Sequence, residues 1–116
     1  MMQYTTTLKR NNDFRRLYAK GRSAVMPTMV IYTRSNKSGE NRVGFTVTVK
    51  LGHAVTRNRV RRRLREIYRL HESELRRGSD LVVVARGRSV DASFRRLEHD
   101  FLAACSRLSL LEEGRQ

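Results

Sequence analysis

The chain has 116 residues, with 25 Lys or Arg against 11 Asp or Glu, a formal net charge of +14. Hydrophobic residues make up 39% of it and recur in periodic segments, which excludes a disordered tail and predicts one domain over residues 1–116 with one modest core. No apolar run reaches the roughly 18 residues a membrane span needs, and arginine supplies 21 of the 25 cations, a bias that favours a nucleic-acid partner over a generic charged surface.

Residues 1–11 read as a loose polar arm, without the apolar core of a secretion signal. Asn12 is placed to cap a helix over 13–20, on which Phe14, Leu17 and Tyr18 share a face, and Gly21 supplies its stop. Residues 25–34 read as one strand, with Pro27 marking an edge or entry position. Residues 35–41 have turn chemistry. Residues 42–50 alternate: Val43, Phe45, Val47 and Val49 are expected on the core face, and Gly44, Thr46, Thr48 and Lys50 on a polar one. The two strands are expected to pair as a hairpin. Gly52 breaks the pattern, and a long helix follows over 55–76. Residues 80–86, nearly all apolar, predict a central strand buried on both faces. Asp91 or Ser93 caps a last helix with the stripe Phe94, Leu97, Phe101, Ala104, Cys105 and Leu108. The elements predict an α+β sandwich, α-β-β-α-β-α, with helices packed against a small sheet.

The long helix carries the functional signal. Seven of the thirteen residues from 57 to 69 are arginine, with Glu66 the one acid among them. At ~100° per residue, Val60, Leu64, Ile67, Tyr68, His71 and Leu75 fall on one stripe. Arg57, Asn58, Arg59, Arg61, Arg62, Arg63, Arg65 and Arg69 occupy the rest. One side docks on the sheet, and the other is a cationic face whose self-repulsion a polyanion would relieve. Arg57 and Asn58 stand at the helix start, where free N–H groups also favour phosphate. Neither a helix-turn-helix partner nor a dimer zipper accompanies it, so RNA is favoured over DNA.

Protein catalysis finds no support in the residues. His53, His71 and His99 lack ligand spacing with one another or with Cys105, no phosphate-binding glycine loop occurs, and the carboxylates are scattered. The single cysteine reads as core packing and suits a reducing cytoplasm. Besides the reading below, composition allows a structural RNA-binding protein such as a ribosomal protein, or a nuclease with its own site; the missing cluster argues against the latter.

Residues 50–66, Lys-Leu-Gly-His-Ala-Val-Thr-Arg-Asn-Arg-Val-Arg-Arg-Arg-Leu-Arg-Glu, resemble the signature of the bacterial ribonuclease P protein component. The resemblance extends through Leu8 to Tyr18, Val30 to Thr33, Arg42 to Val47 and Gly78 to Arg86, and so covers nearly the whole chain. Val49, His53 and a less basic amino-terminal arm are departures from the pattern. The resemblance implies an α-β-β-β-α-β-α two-layer sandwich with a small mixed sheet, like the second domain of ribosomal protein S5, and a left-handed βαβ crossover, an exception to the usual hand. It implies a subunit of a cytoplasmic endoribonuclease that removes the 5′ leader of precursor tRNA, one protein per catalytic RNA. Cleavage would fall to the RNA, with Mg²⁺ bound mainly there. By the same resemblance Arg57, Asn58, Arg59, Arg62 and Arg65 would contact ribonuclease P RNA, and Phe14, Tyr18, Tyr32, Thr46 and Lys50 the leader. The residue pattern adds Arg61 and Arg69 to the first set and Thr48 to the second.

Overall fold

An apolar run too short for a helix and flanked by charge is satisfied at the middle of a sheet, and that position organises this molecule. The computed structural model describes residues 5–112. Its elements run β1 (Thr5–Thr7), α1 (Asn11–Lys20), β2 (Arg22–Val25), β3 (Met29–Ser35), β4 (Asn41–Thr46), α2 (Ala54–His71), β5 (Ser79–Ala85) and α3 (Phe94–Arg107). The five strands form one mixed sheet in the order β1-β4-β5-β3-β2. β5 lies at its centre, parallel to β4 and antiparallel to β3. α2 makes the crossover between the parallel pair.

Side-chain alternation assigns the two faces. Ile31, Val43, Leu81 and Val83 point to one side, where they meet Val60, Leu64, Ile67 and Tyr68 of α2 and Leu97, Phe101, Ala104 and Cys105 of α3. Burial pushes the Cys105 thiol up to about 12, as expected of an inert packing residue. On the other side α1 covers Val82 with Leu17, and Leu8 joins the cluster.

Packing outweighs the charge density of α2. Its sequence contains the i,i+4 pairs Arg57–Arg61, Arg59–Arg63, Arg61–Arg65 and Arg65–Arg69, which together cost roughly 1–2 kcal/mol at a few tenths each. Val60, Leu64, Ile67 and Tyr68 are each at most 1% exposed, and burial of each contributes about 1.5–3 kcal/mol.

Five local expectations change. The strand expected over 25–34 is two strands closed by a tight turn at Pro27 and Thr28, with the Met26 N–H donating to the Met29 carbonyl at 2.8 Å. β3 and β4 do not pair with each other, because β5 lies between them. The strand expected over 42–50 stops at Thr46, where its register with β5 ends at Val84. A 3₁₀ turn over Val49–Leu51 follows, which leaves Val49 74% exposed rather than on the core face. Helix α1 starts a turn-fraction early, behind Arg10 and without a side-chain cap, so Asn12 lies inside it. The arm expected over 1–11 is not loose in its described part: β1 pairs in parallel with β4 and Leu8 is buried. Residues 1–4 lie outside the described residues.

The predicted end of the long helix also shifts. α2 stops at His71 and passes through a 3₁₀ turn over Glu72–Glu74, so Leu75 is buried by a bridge to Leu111 rather than on the helix. Ser93 caps α3, its hydroxyl accepting the Arg96 N–H at 3.0 Å.

Candidate nucleic-acid interface

Two surfaces on opposite faces of the sheet concentrate the residues singled out above. On the first, α2 turns its arginines away from the core. It begins behind His53 with no acid and no side-chain cap in its first turn, so the helix start keeps its free N–H groups and partial positive charge.

Several of these arginines are held in place by the protein. Arg57 donates to the Gly52 carbonyl (3.2 Å), Arg59 to Val90 (3.3 Å) and Arg63 to Ala92 (3.3 Å). Arg61 donates to the Asn58 side-chain oxygen (3.1 Å), and the Arg65 guanidinium lies 5.9 Å from the centre of the Phe45 ring. Carbonyls and a ring orient a guanidinium without cancelling its charge. Arg69 is different: it donates to both oxygens of Glu66, at 2.8 and 2.7 Å. Arg62 has no partner among the described residues, and Asn58, Arg61, Arg62 and Arg65 line one shallow depression.

The second surface lies beside α1. Sheet register sets Tyr32, Val82 and Gly44 side by side in one row, and Val30, Val84 and Thr46 in the next. α1 covers the first row, because Gly44 has no Cβ. One built there would stand 2.6 Å from the Phe14 ring, so the ring occupies the space a side chain would fill. One turn on, Tyr18 packs edge-on against Tyr32, with ring centres 5.0 Å apart at 79°, and its hydroxyl is hydrogen-bonded to the Thr46 hydroxyl at 3.0 Å. Tyr18 remains 42% exposed. Phe14, Tyr18, Tyr32 and Thr46 are thus brought together. Thr48 and Lys50 are not on the strand. They sit, exposed, in the segment that leads from Thr46 to the start of α2.

Two further parts of this surface have no signal in the local sequence. Val30 and Val84 supply its apolar floor, a consequence of the central place of β5. At its other end Arg42 donates to both oxygens of Asp80 (2.9 and 2.6 Å) and lies 3.5 Å from Asp13, while Asn36 donates to Asp80 at 2.8 Å. These partners stand far apart in the chain and left no local pattern to read. Their effect is to remove Arg42 from the free cations.

No group of three or more His, Cys, Asp or Glu suited to a metal occurs among the described residues. The clustered carboxylates are engaged by protein cations instead, as with Asp80 above and with Glu74 and Glu98 on His71 (2.6 and 2.8 Å). The donor set does not suit Mg²⁺. Among the described residues, no helix is long and apolar enough to cross a membrane.

A small mixed sheet that carries a cationic helix on one face and an aromatic, hydroxyl-bearing patch on the other is an α+β fold with surfaces suited to RNA. Residues 2–109 match the family Ribonuclease P. The chain is 39% identical over 113 residues to the ribonuclease P protein component of Alkaliphilus oremlandii, covering 97% of this chain and 99% of that one. To the Clostridioides difficile component it is 44% identical over 95 residues, 81% of this chain and 83% of that one. The solved RNase P protein of Staphylococcus aureus superposes with a TM-score of 0.84 at 32% identity, covering 95% of this chain and 99% of that one. That of Thermotoga maritima superposes with a TM-score of 0.77 at 28% identity, covering 84% and 92%. The chain belongs to the bacterial ribonuclease P protein family, the protein subunit of the RNA–protein endoribonuclease that matures tRNA 5′ ends.

Proposed function

We propose a division of labour between the two faces. The α2 surface of Arg57, Asn58, Arg59, Arg61, Arg62, Arg65 and Arg69 binds ribonuclease P RNA, one protein to one RNA. The cleft of Phe14, Tyr18, Tyr32 and Thr46 takes the single-stranded 5′ leader of precursor tRNA, with Thr48 and Lys50 at its rim. The observation that carries this reading is the Tyr18–Tyr32–Thr46 cluster, half open to water on the face turned away from α2. Rings and hydroxyls of this kind accept an extended strand of any sequence, since base stacking on an aromatic contributes ~1–3 kcal/mol and every base has a π-face.

In this reading the RNA holds the Mg²⁺ ions and performs the cleavage, in the cytoplasm. The protein adds cations between two polyanions. It thereby lowers the Mg²⁺ the RNA pair requires. Arg69, already neutralised by Glu66, contributes less than Arg62 to that field.

The test is reconstitution with the cognate RNA at low Mg²⁺, using precursor tRNA and mature tRNA. The protein is expected to restore cleavage and to bind the leader-bearing form more tightly. Unchanged cleavage at low Mg²⁺, or equal affinity for the two tRNAs, overturns the reading.

A further inference from the structure

The open half of the sheet face beside α1 does not end at the Tyr18–Tyr32–Thr46 cluster. Strand register continues the row of Thr46, Val84 and Val30 to Val25 on the edge strand β2. Val25 is 55% exposed. One row further along β5 the chain is still extended. The Arg86 N–H donates to the Thr28 carbonyl at 2.9 Å, and alternation puts the Arg86 side chain on the face of Val84. There a depression of about 550 Å³ is lined by Val25, Met26, Pro27, Arg86, Gly87 and Arg88.

The charge in this depression is not offset, because its lining contains no acid. The Arg86 guanidinium is held by the Met26 carbonyl at 2.9 Å, and Arg107 reaches the Val25 carbonyl from α3 at 3.4 Å. Carbonyls fix these groups and leave their charge intact. Arg88 is exposed and has no hydrogen-bond or ion-pair partner among the described residues. Asp91 lines an adjoining depression, and the buried Asp100 is taken by Thr28 and Arg96. At the opposite end of the sheet, by contrast, Arg42 is paired with Asp80 and Asp13.

A nucleotide phosphate fits this chemistry. Val25, Met26 and Pro27 offer an apolar wall to a sugar or base, and the guanidinium forks beside it match phosphate oxygens. The valine floor runs unbroken from the aromatic cluster to the pocket, whereas α2 lies on the other face of the sheet. We propose that the pocket is a phosphate clamp at the far end of the leader track. A strand stacked at Tyr18 and Tyr32 crosses Val84, Val30 and Val25 and presents one phosphate, internal or 5′-terminal, to Arg86 and Arg88. The inference rests on the leader reading and deepens it from a stacking site to a track of fixed length. From Thr46 to Val25 the track spans three strand spacings, about 14 Å, so only leaders long enough to cross it engage the clamp.

The experiment uses precursor tRNAs with leaders shortened one nucleotide at a time, each with a 5′-hydroxyl or a 5′-monophosphate. They are titrated with holoenzyme in Ca²⁺, which slows cleavage. Wild type is expected to gain about tenfold in affinity at one leader length, the low end for hydrogen bonds to a charged group. Arg88→Ala and Val25→Glu, both at exposed positions, are expected to lose that step alone, so that shorter leaders bind as they do to wild type. Affinity retained in longer leaders shows an internal diester in the clamp. Affinity confined to the phosphorylated leader of the critical length shows a terminal phosphate. An Arg88→Ala protein that weakens every leader length equally, or none, overturns the clamp while the leader reading at Tyr18 stands. Weaker binding of Arg88→Ala to the RNA subunit alone also overturns it, since the pocket would then serve that RNA. If wild type gains nothing from a leader of any length, both readings fall.

Discussion

Gly44→Ala adds a single methyl group beneath the proposed leader cleft. The new Cβ would lie 2.6 Å from two carbons of the Phe14 ring and 3.4 Å from the Leu8 Cβ. Carbon pairs sit comfortably at about 3.5–4.0 Å, so the ring must retreat by about 1 Å. Leu17, 2% exposed, pins α1 to the sheet three residues away, so the helix cannot slide off freely. Overpacking of this kind costs about 1–3 kcal/mol. Urea unfolding is expected to show that loss at unchanged m-value. The displaced ring also disturbs its i+4 neighbour Tyr18, so the affinity ratio of leader-bearing to mature tRNA is expected to fall about fivefold or more, the equivalent of one base stack. RNA-subunit affinity should hold, because α2 packs on the opposite face. The double variant Gly44→Ala/Phe14→Leu is expected to recover stability but not leader preference. Full stability together with full leader preference in Gly44→Ala would refute the view that the missing Cβ positions the cleft.

Further outcomes test the other parts. Arg62→Ala, which breaks no hydrogen bond or ion pair among the described residues, is expected to weaken RNA-subunit binding and reduce the salt slope by about one phosphate's worth; an identical slope removes Arg62 from the interface. Tyr18→Phe keeps the edge contact with Tyr32 and loses only an exposed hydrogen bond worth about 0.5–1.5 kcal/mol, so leader preference should drop severalfold less than in Tyr18→Ala. Equal loss for leader-bearing and mature tRNA would take Tyr18 out of the leader site. For His71, burial opposes the charged ring, but its hydrogen bonds to the Glu98 and Glu74 carboxylates outweigh it and hold its pKa above the ordinary 6.5. A raised pKa stabilises fully below about pH 6.5 and the gain is lost as pH rises through the raised value. Unfolding midpoints should therefore fall from pH 6 toward pH 9, and His71→Gln should flatten that fall; a parallel curve denies that the charged His71 ring ties the end of α2 to Glu98 of α3.

The parts of the fold legible in the sequence are those set by local periodicity. The α2 stripe of Val60, Leu64, Ile67 and Tyr68, and the stripe of α3, follow from apolar spacing alone. So does the central place of β5, from its nearly unbroken apolar run. What failed depends on partners distant in sequence. The turn at Pro27 and Thr28 is fixed by Asp100 of α3, whose carboxylate accepts from the Thr28 amide (3.1 Å) and hydroxyl (2.6 Å). Nothing between residues 25 and 34 announces that. Consecutive strands are neighbours about two-thirds of the time, and here β5 displaces β4 from β3. The same limits apply to the candidate site. Phe14 and Tyr18 share a helix face and were readable together. Thr46, Thr48 and Lys50 read as one row because alternation continues past the point where β4 loses its partner. The chain does carry one usable hint: glycine at position 44, opposite an aromatic helix face, marks where a ring can approach the sheet.

The strand that joins the two halves of the sheet is also the last to leave the ribosome. Until residue 85 has been made, β3 with β2 and β4 with β1 have no seam between them, and the floor beneath Tyr18 and Tyr32 does not exist. The arginine helix, by contrast, is a local segment that is complete by residue 71. A nascent chain therefore displays its polyanion-seeking arginines before it has the sheet whose packing offsets their repulsion, and sheet closure by long-range pairing is the slow kind of folding step. Capture of that unpacked segment by RNA would compete with folding until β5 closes the sheet.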